Sequence, residues 1–328
     1  MLRWAILGTG FISGTVARAI EDSDGSRVEF IVGRSAERCS EFQVIYDIPR
    51  WSNDLDVVLA DPGIDVVYVG LPNHLHRSTV EKIAASGKAV LCEKSLATKM
   101  EDAEAAVTSV RSNQVFFAEG LMYLAHPLYH RLVEILSDGR LGNLRSVNGL
   151  YAADISHLVN PLGKGTIYNL GCYPVSLLHL VVQTMSDDDA FGGRTIKALG
   201  TPSKLDGNIC DSAVVVKFDN GVLANLQSSD SYGMDYGFTI MGDKGALRFV
   251  TNPWLPVAGR NHIQWQRYGG QTEDIFVDAA HDAFYHQIKM VETALAAGQK
   301  EATRPSPRLQ DSLEIMSFMT QWEASCSS

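Results

Sequence analysis

Short apolar runs alternate with amphipathic stretches over the first third of the chain, and the rhythm changes near residue 140. Residues 3–7 and 27–32 are apolar runs too short for helices and predict buried strands. The run Ile-Asp-Val-Val-Tyr-Val-Gly at 64–70 reads the same way, as do 89–92 and 115–118. Between them lie stretches with apolar residues at helical spacing. One extends through Ile20, one stops at Gly87, and one opens at Thr98-x-x-Glu101, which has the spacing of a capping box. Alternation of this kind predicts a parallel sheet linked by helical crossovers. From 144 strands dominate, at 144–152, 194–200, 209–218, 222–229, 236–241 and 246–250, with helical patterns returning at 281–297 and 308–323. Asp219-Asn220-Gly221 and Gly242-Asp243-Lys244-Gly245 are hairpin turns between these strands. A run of strands between helices suits an α+β domain, so the chain reads as α/β with domains at 1–120 and 121–328.

Composition narrows the class. The 328 residues suffice for two domains with cores of their own, and 45% apolar with 20% charged is the balance of a globular chain. A formal charge of −10 argues against nucleic acid or an anionic membrane as partner, and requires local positive groups to hold any anionic cofactor. No apolar run approaches the length of a membrane span, and residues 1–7 run straight into the first strand without room for a signal peptide. The five cysteines are odd in number and lack CxxC spacing, which predicts reduced thiols in a cytoplasmic protein and no metal site.

The chemistry concentrates at strand ends. Gly8-Thr9-Gly10-Phe11-Ile12-Ser13 follows the first strand and opens a helix, the arrangement in which a Rossmann unit cradles a pyrophosphate. Gly8 permits the tight turn, Gly10 lets the backbone approach the phosphates, and Ser13 with Gly14 keeps the helix close to the sheet. At the end of the second strand, where an acidic residue would hold the ribose hydroxyls of NAD, stand Gly33-Arg34-Ser35, with Arg38 a turn later. Guanidinium and hydroxyl groups there suit a 2′-phosphate, so the expected cofactor is NADP(H) over NAD(H). Two further segments fall at the same carboxyl edge of the sheet: Leu71-Pro72-Asn73-His74-Leu75-His76 and Cys92-Glu93-Lys94-Ser95.

Taken together, the glycine turn, the Leu71–His76 phrase and the stretch 91–96 resemble the glucose–fructose oxidoreductase and inositol dehydrogenase family, Gfo/Idh/MocA. Glu119-Gly120-Leu121-Met122-Tyr123, Gly139-Arg140-Leu141-Gly142 and Ile240-Met241-Gly242-Asp243-Lys244-Gly245 resemble later phrases of the same family in the same order. The resemblance implies an N-terminal Rossmann domain and a C-terminal domain with a large, mostly antiparallel sheet that joins subunits into a homodimer or homotetramer. It also implies that Lys94 lies near nicotinamide and substrate; Ser95 stands where the family usually has proline. Leu71, Pro72, Asn73, His76 and Glu93 are the implied further cofactor contacts.

A second family phrase pairs an aspartate with a histidine four residues on; here Asn169 and Tyr173 take those positions, and the spacing predicts one shared helix face. Members resembling dihydrodiol dehydrogenases also have tyrosine there. Tyr173 is the implied proton donor or acceptor, with Lys94 as helper and Asn169 orienting. Tyr123, Asp154 and His157 are candidate substrate contacts, and Leu124 replaces an arginine common in that phrase. The expected activity is NADP(H)-dependent hydride transfer to or from a secondary alcohol or ketone of a sugar, cyclitol or dihydrodiol-like polyol. The alternative is a dinucleotide-binding regulator of the same family without turnover.

Overall fold

The computed structural model describes residues 1–186 and 188–326. The chain divides into two compact units, the first made of Met1–Met122 with Phe284–Ser312. In it the apolar runs become β1 (Leu2–Leu7), β2 (Ser26–Val32), β4 (Val66–Val69), β5 (Ala89–Glu93) and β6 (Phe117–Gly120), with a short β3 (Arg50–Ser52) beside β2. All pair in parallel, in the order β3-β2-β1-β4-β5-β6. Helices α1 (Phe11–Glu21), α2 (Ala36–Ile45), α3 (Leu55–Ala60), α4 (His76–Ala85) and α5 (Met100–Asn113) make the crossovers. The strand order reverses between β1 and β4, and it is outside the carboxyl ends of strands at such a reversal that open α/β sheets bind ligands.

Two local expectations need correction. The capping box at Thr98 does not form: α5 begins at Met100 with Lys99 as its N-cap and no side-chain cap. Glu101 therefore sits one position too early to reach back, and Thr98 is buried instead. Strand β3 and helix α3 were not foreseen, because Arg50-Trp51-Ser52 and a six-residue helix are too short to show a period.

The second unit comprises Tyr123–Ala283 and the chain from Leu313. Its helices are α6 (Pro127–Ser137), α7 (Thr166–Asn169) and α8 (Cys172–Met185). Strands β7 (Leu144–Ala153), β8 (Arg194–Pro202), β9 (Ile209–Phe218), β10 (Leu223–Ser229), β11 (Met234–Gly242), β12 (Gly245–Phe249), β13 (Gly259–Arg267) and β14 (Thr272–Ala279) form one sheet. The order is β14-β13-β12-β11-β7-β10-β9-β8, antiparallel at every step except β7 against β10. This is the large, mostly antiparallel sheet that the sequence led us to expect.

Alternation along β9 buries Val214, Val216 and Phe218 and leaves Val215 outside, so one face of the sheet is core. Helix α8 is buried from Cys172 to Gln183, consistent with its apolar character all round. Strands β13 and β14 carry many polar residues and bury few positions, which is why the apolar pattern missed them.

Helix α9 (Ala283–Ala296) returns the chain to the first unit, where Ile288, Val291 and Ala294 join Trp4, Ile6, Val66, Tyr68 and Leu91 in one core. Phe117 of β6 then donates its N–H to the Lys300 carbonyl at 3.0 Å, extending the sheet edge. Helix α10 (Leu309–Cys326) ends the described chain. Among the described residues no helix is long and apolar enough to cross a membrane.

Candidate active site

The first strand end sets the geometry of the cofactor side. Gly8 has φ +111°, and a Cβ on it would lie 2.5 Å from the Gly70 carbonyl oxygen beyond β4. Only glycine lets these strand ends approach so closely. Gly10 is the N-cap of α1 and brings no side-chain cap, while a Cβ on it would meet nothing within 4 Å. The first-turn N–H groups of α1, from Phe11 and Ile12 onward, thus open beside empty space at the positive end of a helix with no acidic residue in its first turn. Close packing behind the turn comes from Gly14, where a Cβ would lie 2.0 Å from the Tyr46 hydroxyl.

A cleft of about 660 Å³ opens there, lined by Gly8, Thr9, Gly10, Arg34, Ser35, Arg38, Leu71 and Pro72 among others. Asn53, Leu55, Leu75 and Thr79 also line it. Sequence reasoning missed Asn53 and Leu55 because they follow the unforeseen β3, whereas Leu75 sat inside a phrase already singled out. The lining includes two arginines and no carboxylate. Ser35 is spent as the N-cap of α2, accepting the Arg38 N–H at 3.3 Å, and Arg38 Nη2 donates to the Thr9 carbonyl at 3.0 Å. Arg34 is exposed, and among the described residues no hydrogen bond or ion pair engages its guanidinium. These features fit a dinucleotide: an open cradle of backbone N–H groups for the pyrophosphate and an uncommitted cation at the end of β2.

Six residues expected to touch the cofactor are not among those lining this cleft: Phe11, Ile12, Asn73, His76, Glu93 and Lys94. His76 is fully buried, with Nε2 2.8 Å from the Leu71 carbonyl and Nδ1 3.1 and 3.2 Å from those of Ser95 and Leu96. Burial lowers its pKa to about 4, opposed by those carbonyls. The ring is boxed in by backbone and ties the 71–76 turn to the segment after β5. Glu93 is buried as well; Oε1 accepts the Tyr68 hydroxyl at 2.9 Å and Oε2 the Lys94 N–H at 3.2 Å, while burial raises its pKa. Asn73 lies within the short 3-10 turn Asn73–Leu75 and is buried. Lys94 follows β5 directly, half-buried, and its peptide bond to Ser95 is cis. Glu119 on β6, which sequence reasoning noted only as part of a phrase, accepts the Leu96 N–H at 2.9 Å.

In the second unit Asn169 and Tyr173 do not share one helix. Asn169 ends α7 and Tyr173 is the second residue of α8, with Leu170 and Gly171 between them. The Gly171 N–H reaches back to Thr166 and the Tyr173 N–H to Leu170, so the regular i to i−4 ladder is broken there. The i, i+4 spacing was right in number but the segment is jointed, with Gly171 packed where a Cβ would lie 2.6 Å from the Ile167 carbonyl. Tyr173 is 7% exposed, its ring packed against Tyr123, Tyr151 and Trp254 at centroid distances of 5.6, 5.3 and 6.3 Å.

Tyr123, an expected substrate contact, is itself wholly buried. Its hydroxyl donates to the Tyr173 carbonyl at 3.0 Å and meets Ser176 Oγ at 2.7 Å, which fixes the start of α8 from behind. Asp154 and His157 lie exposed on the segment after β7. Asn169 donates from Nδ2 to Oδ2 of Asp230 at 3.4 Å. Sequence reasoning did not single out Asp230; its only signal was an acidic residue directly after an apolar strand. Burial raises the Asp230 carboxyl to about 6, the Asn169 hydrogen bond opposing and Asp206 adding to the rise.

Comparison with known proteins agrees with this arrangement. Residues 2–121 match the family of oxidoreductases with an NAD-binding Rossmann fold, GFO_IDH_MocA, and residues 129–248 match the GFO/IDH/MocA C-terminal domain. An uncharacterised oxidoreductase of Rhizobium meliloti is 28% identical over 262 residues, 78% of this chain and 76% of that protein. The trans-1,2-dihydrobenzene-1,2-diol dehydrogenase of Bos taurus is 26% identical over 264 residues, 78% of this chain and 76% of its own. Among solved structures, a 3-ketoreductase from Actinomadura kijaniata in complex with NADP and TDP-benzene has a TM-score of 0.85 at 21% identity, covering 99% of this chain and 97% of that one. With both domains matched in order, and a Rossmann unit that keeps the glycine cradle, the chain belongs to the Gfo/Idh/MocA family of NAD(P)-binding oxidoreductases.

Proposed function

We propose that this oxidoreductase uses NADP(H) and interconverts a secondary alcohol and a ketone on a sugar, cyclitol or dihydrodiol-like polyol. The observation that carries the cofactor choice is the cleft at the end of β2, with an uncommitted Arg34 and no carboxylate in its lining. An NAD site needs an acceptor there for ribose hydroxyls, whereas a 2′-phosphate needs a cation. The relatives support the substrate class: one acts on a dihydrodiol by name, and a structural neighbour is a ketoreductase.

When bound, the nicotinamide supplies the hydride chemistry. The cradle of Gly8, Thr9, Gly10 and the α1 N-terminus holds phosphate, and Leu71 and Pro72 form part of the same wall. Lys94 donates hydrogen bonds to the reacting oxygen, and Tyr173 gives or takes the proton. The ring packing around Tyr173 limits its rotamers and so preorganises the phenol. Self-association belongs on the outer face of the eight-stranded sheet, where Val215, Leu223 and Tyr236 are exposed.

Fluorescence titration with NADPH and NADH tests the cofactor reading. NADPH is expected to bind more tightly, and Arg34→Ala to weaken it about 10- to 100-fold, the worth of a charge-assisted hydrogen bond. NADH binding should change little in the same variant. Equal binding of both cofactors, or an Arg34→Ala variant that binds NADPH as the wild type does, would overturn the assignment.

A further inference from the structure

Within the first unit, β5 ends in a buried carboxyl group directly before Lys94. Glu93 Oε1 accepts the Tyr68 hydroxyl of β4 at 2.9 Å, and its Oε2 accepts the Lys94 N–H at 3.2 Å. Tyr68 pairs with Leu91, so its side chain and that of Glu93, two residues on, share one face of the sheet. It is the one residue with a polar tip in Val66–Val69, a strand buried at every position. A phenol placed there needs a partner for its hydroxyl, which a phenylalanine would not.

The surroundings make room for this pair on both sides. A Cβ on Gly70 would lie 2.8 Å from Tyr68 Cε1, and a Cβ on Gly120 of β6 would lie 3.1 Å from Glu93 Cα and 3.2 Å from its Oε1. A buried carboxyl costs more than an apolar side chain filling the same space. Burial accordingly raises the pKa of Glu93, opposed first by the charge on Lys94, then by the Tyr68 hydroxyl and the Lys94 N–H. Each opposing group favours the ionised form, so the Tyr68 hydroxyl helps to keep a negative charge beside Lys94. Cys92 on the same strand and Glu119 on β6 are the other titratable groups that feel Glu93.

We infer that Tyr68 is a positioning residue for Lys94: it holds the Glu93 carboxylate from β4, and that carboxylate fixes where the Lys94 ammonium stands at the end of β5. The sequence offers no sign of this, because Tyr68 lies inside an apolar strand. The inference rests on reading Lys94 as a group that touches the reacting oxygen.

The test uses the full-length protein labelled with 13Cε-lysine, its Lys94 signal identified by loss in K94R. That signal is expected to move as Glu93 ionises, above the ordinary carboxyl value of 4.5. In Y68F the movement should shift to higher pH, because a hydrogen bond to the ionised form is gone. It should stop in E93Q and persist in E119Q. Steady-state oxidation by NADP+ of trans-cyclohexane-1,2-diol, D-glucose and myo-inositol supplies the second arm. On whichever is oxidised, Y68F should lower kcat about tenfold, with KM and the Kd for NADPH within about twofold of wild type. Y68F/E93Q should be no slower than E93Q alone, because Tyr68 acts through Glu93.

A Lys94 signal indifferent to pH across the ionisation of Glu93 overturns the inference without needing any variant to fold. So does a signal that moves at the same pH in Y68F as in wild type, or a double variant in which the two losses multiply. A Y68F protein with lowered Tm and wild-type kcat also overturns it, the hydroxyl then serving stability alone. If K94M keeps wild-type kcat while the wild-type signal follows Glu93, the reading of Lys94 fails although the placement stands. If none of the three compounds is oxidised, the lysine signal decides.

Discussion

At the scale of single residues, buried carboxyl groups are the features that cost most and say most. Glu119 is 2% exposed, and its Oε1 accepts the Leu96 N–H. Burial is the main reason its pKa rises to about 7, opposed by the Ser312 hydroxyl, the Leu96 N–H and Lys94, with Glu93 adding to the rise. A carboxyl whose folded pKa exceeds its unfolded value binds its proton more tightly when folded. It therefore lowers stability as pH rises from the unfolded value of 4.5 to about 7, and the loss is complete above that window. Glu119→Gln keeps the acceptor for Leu96 and removes the titration. The variant should gain on wild type through that window, by at most about 1.4 kcal/mol per pH unit, and match it near pH 4. Urea unfolding at pH 4, 6 and 8 measures this; a Glu119→Gln variant that differs from wild type equally at all three values would show that the carboxyl titrates alike in the folded and unfolded chain. The placement of single residues was half legible in the sequence. The place of Arg34 could be read because a strand end followed by a helix cap is legible in sequence. His76 and Tyr123 could not, because their partners are backbone carbonyls and a hydroxyl brought close only by the fold.

At the scale of elements, the β1–α1 turn separates two glycines that look alike in sequence. Gly8 combines φ +111° with a backbone oxygen 2.5 Å from any Cβ, while Gly10 has an ordinary φ of −83° and open space around it. Gly8→Ala should cost about 2–5 kcal/mol, backbone strain and overpacking together, and lower Tm. Gly10→Ala should leave Tm unchanged within about a degree yet weaken NADPH at least about tenfold, because the added methyl occupies the space the pyrophosphate needs. Thermal melts and NADPH titrations of both variants check the pair. A Gly10→Ala variant that binds NADPH normally would move the phosphates away from this turn.

The elements most legible in sequence were those with a single strong period: the strands of the first sheet other than β3, with α9 and α10. Where two signals competed, the sequence misled. The capping-box spacing at Thr98 lost to a start one residue later, and the Asn169–Tyr173 spacing concealed the joint at Leu170 and Gly171. The polar outer strands β13 and β14 have no apolar face strong enough to announce them.

At the scale of the whole molecule, charge and connectivity both bear on the cofactor. A net charge of −10 opposes an anionic dinucleotide at long range, so binding depends on the cations and helix end inside the cleft. Connectivity is the less obvious control. The unit that holds the cleft is built from two stretches of chain far apart in sequence, and no cleft-lining residue lies in the second, Phe284–Ser312. That stretch nevertheless contributes Ile288, Val291 and Ala294 to the core under β1 and β4, and Glu292 Oε1 accepts the Ser23 and Ser26 hydroxyls at 2.5 and 2.6 Å. Burial of the two large aliphatic side chains is worth about 1.5–3 kcal/mol each, against a total stability of about 5–15 kcal/mol for an ordinary domain. Losing them along with the buried hydrogen bonds leaves little margin. A chain ended after residue 283 keeps every residue of the cleft and should still fail to bind NADPH. The point variants Ile288→Ala and Val291→Ala should weaken the cofactor only as far as they lower Tm, since neither touches the cleft. Titration and melts of these three proteins decide it. A truncated chain that binds NADPH at wild-type strength would show that the Rossmann sheet closes its core without the returning helix.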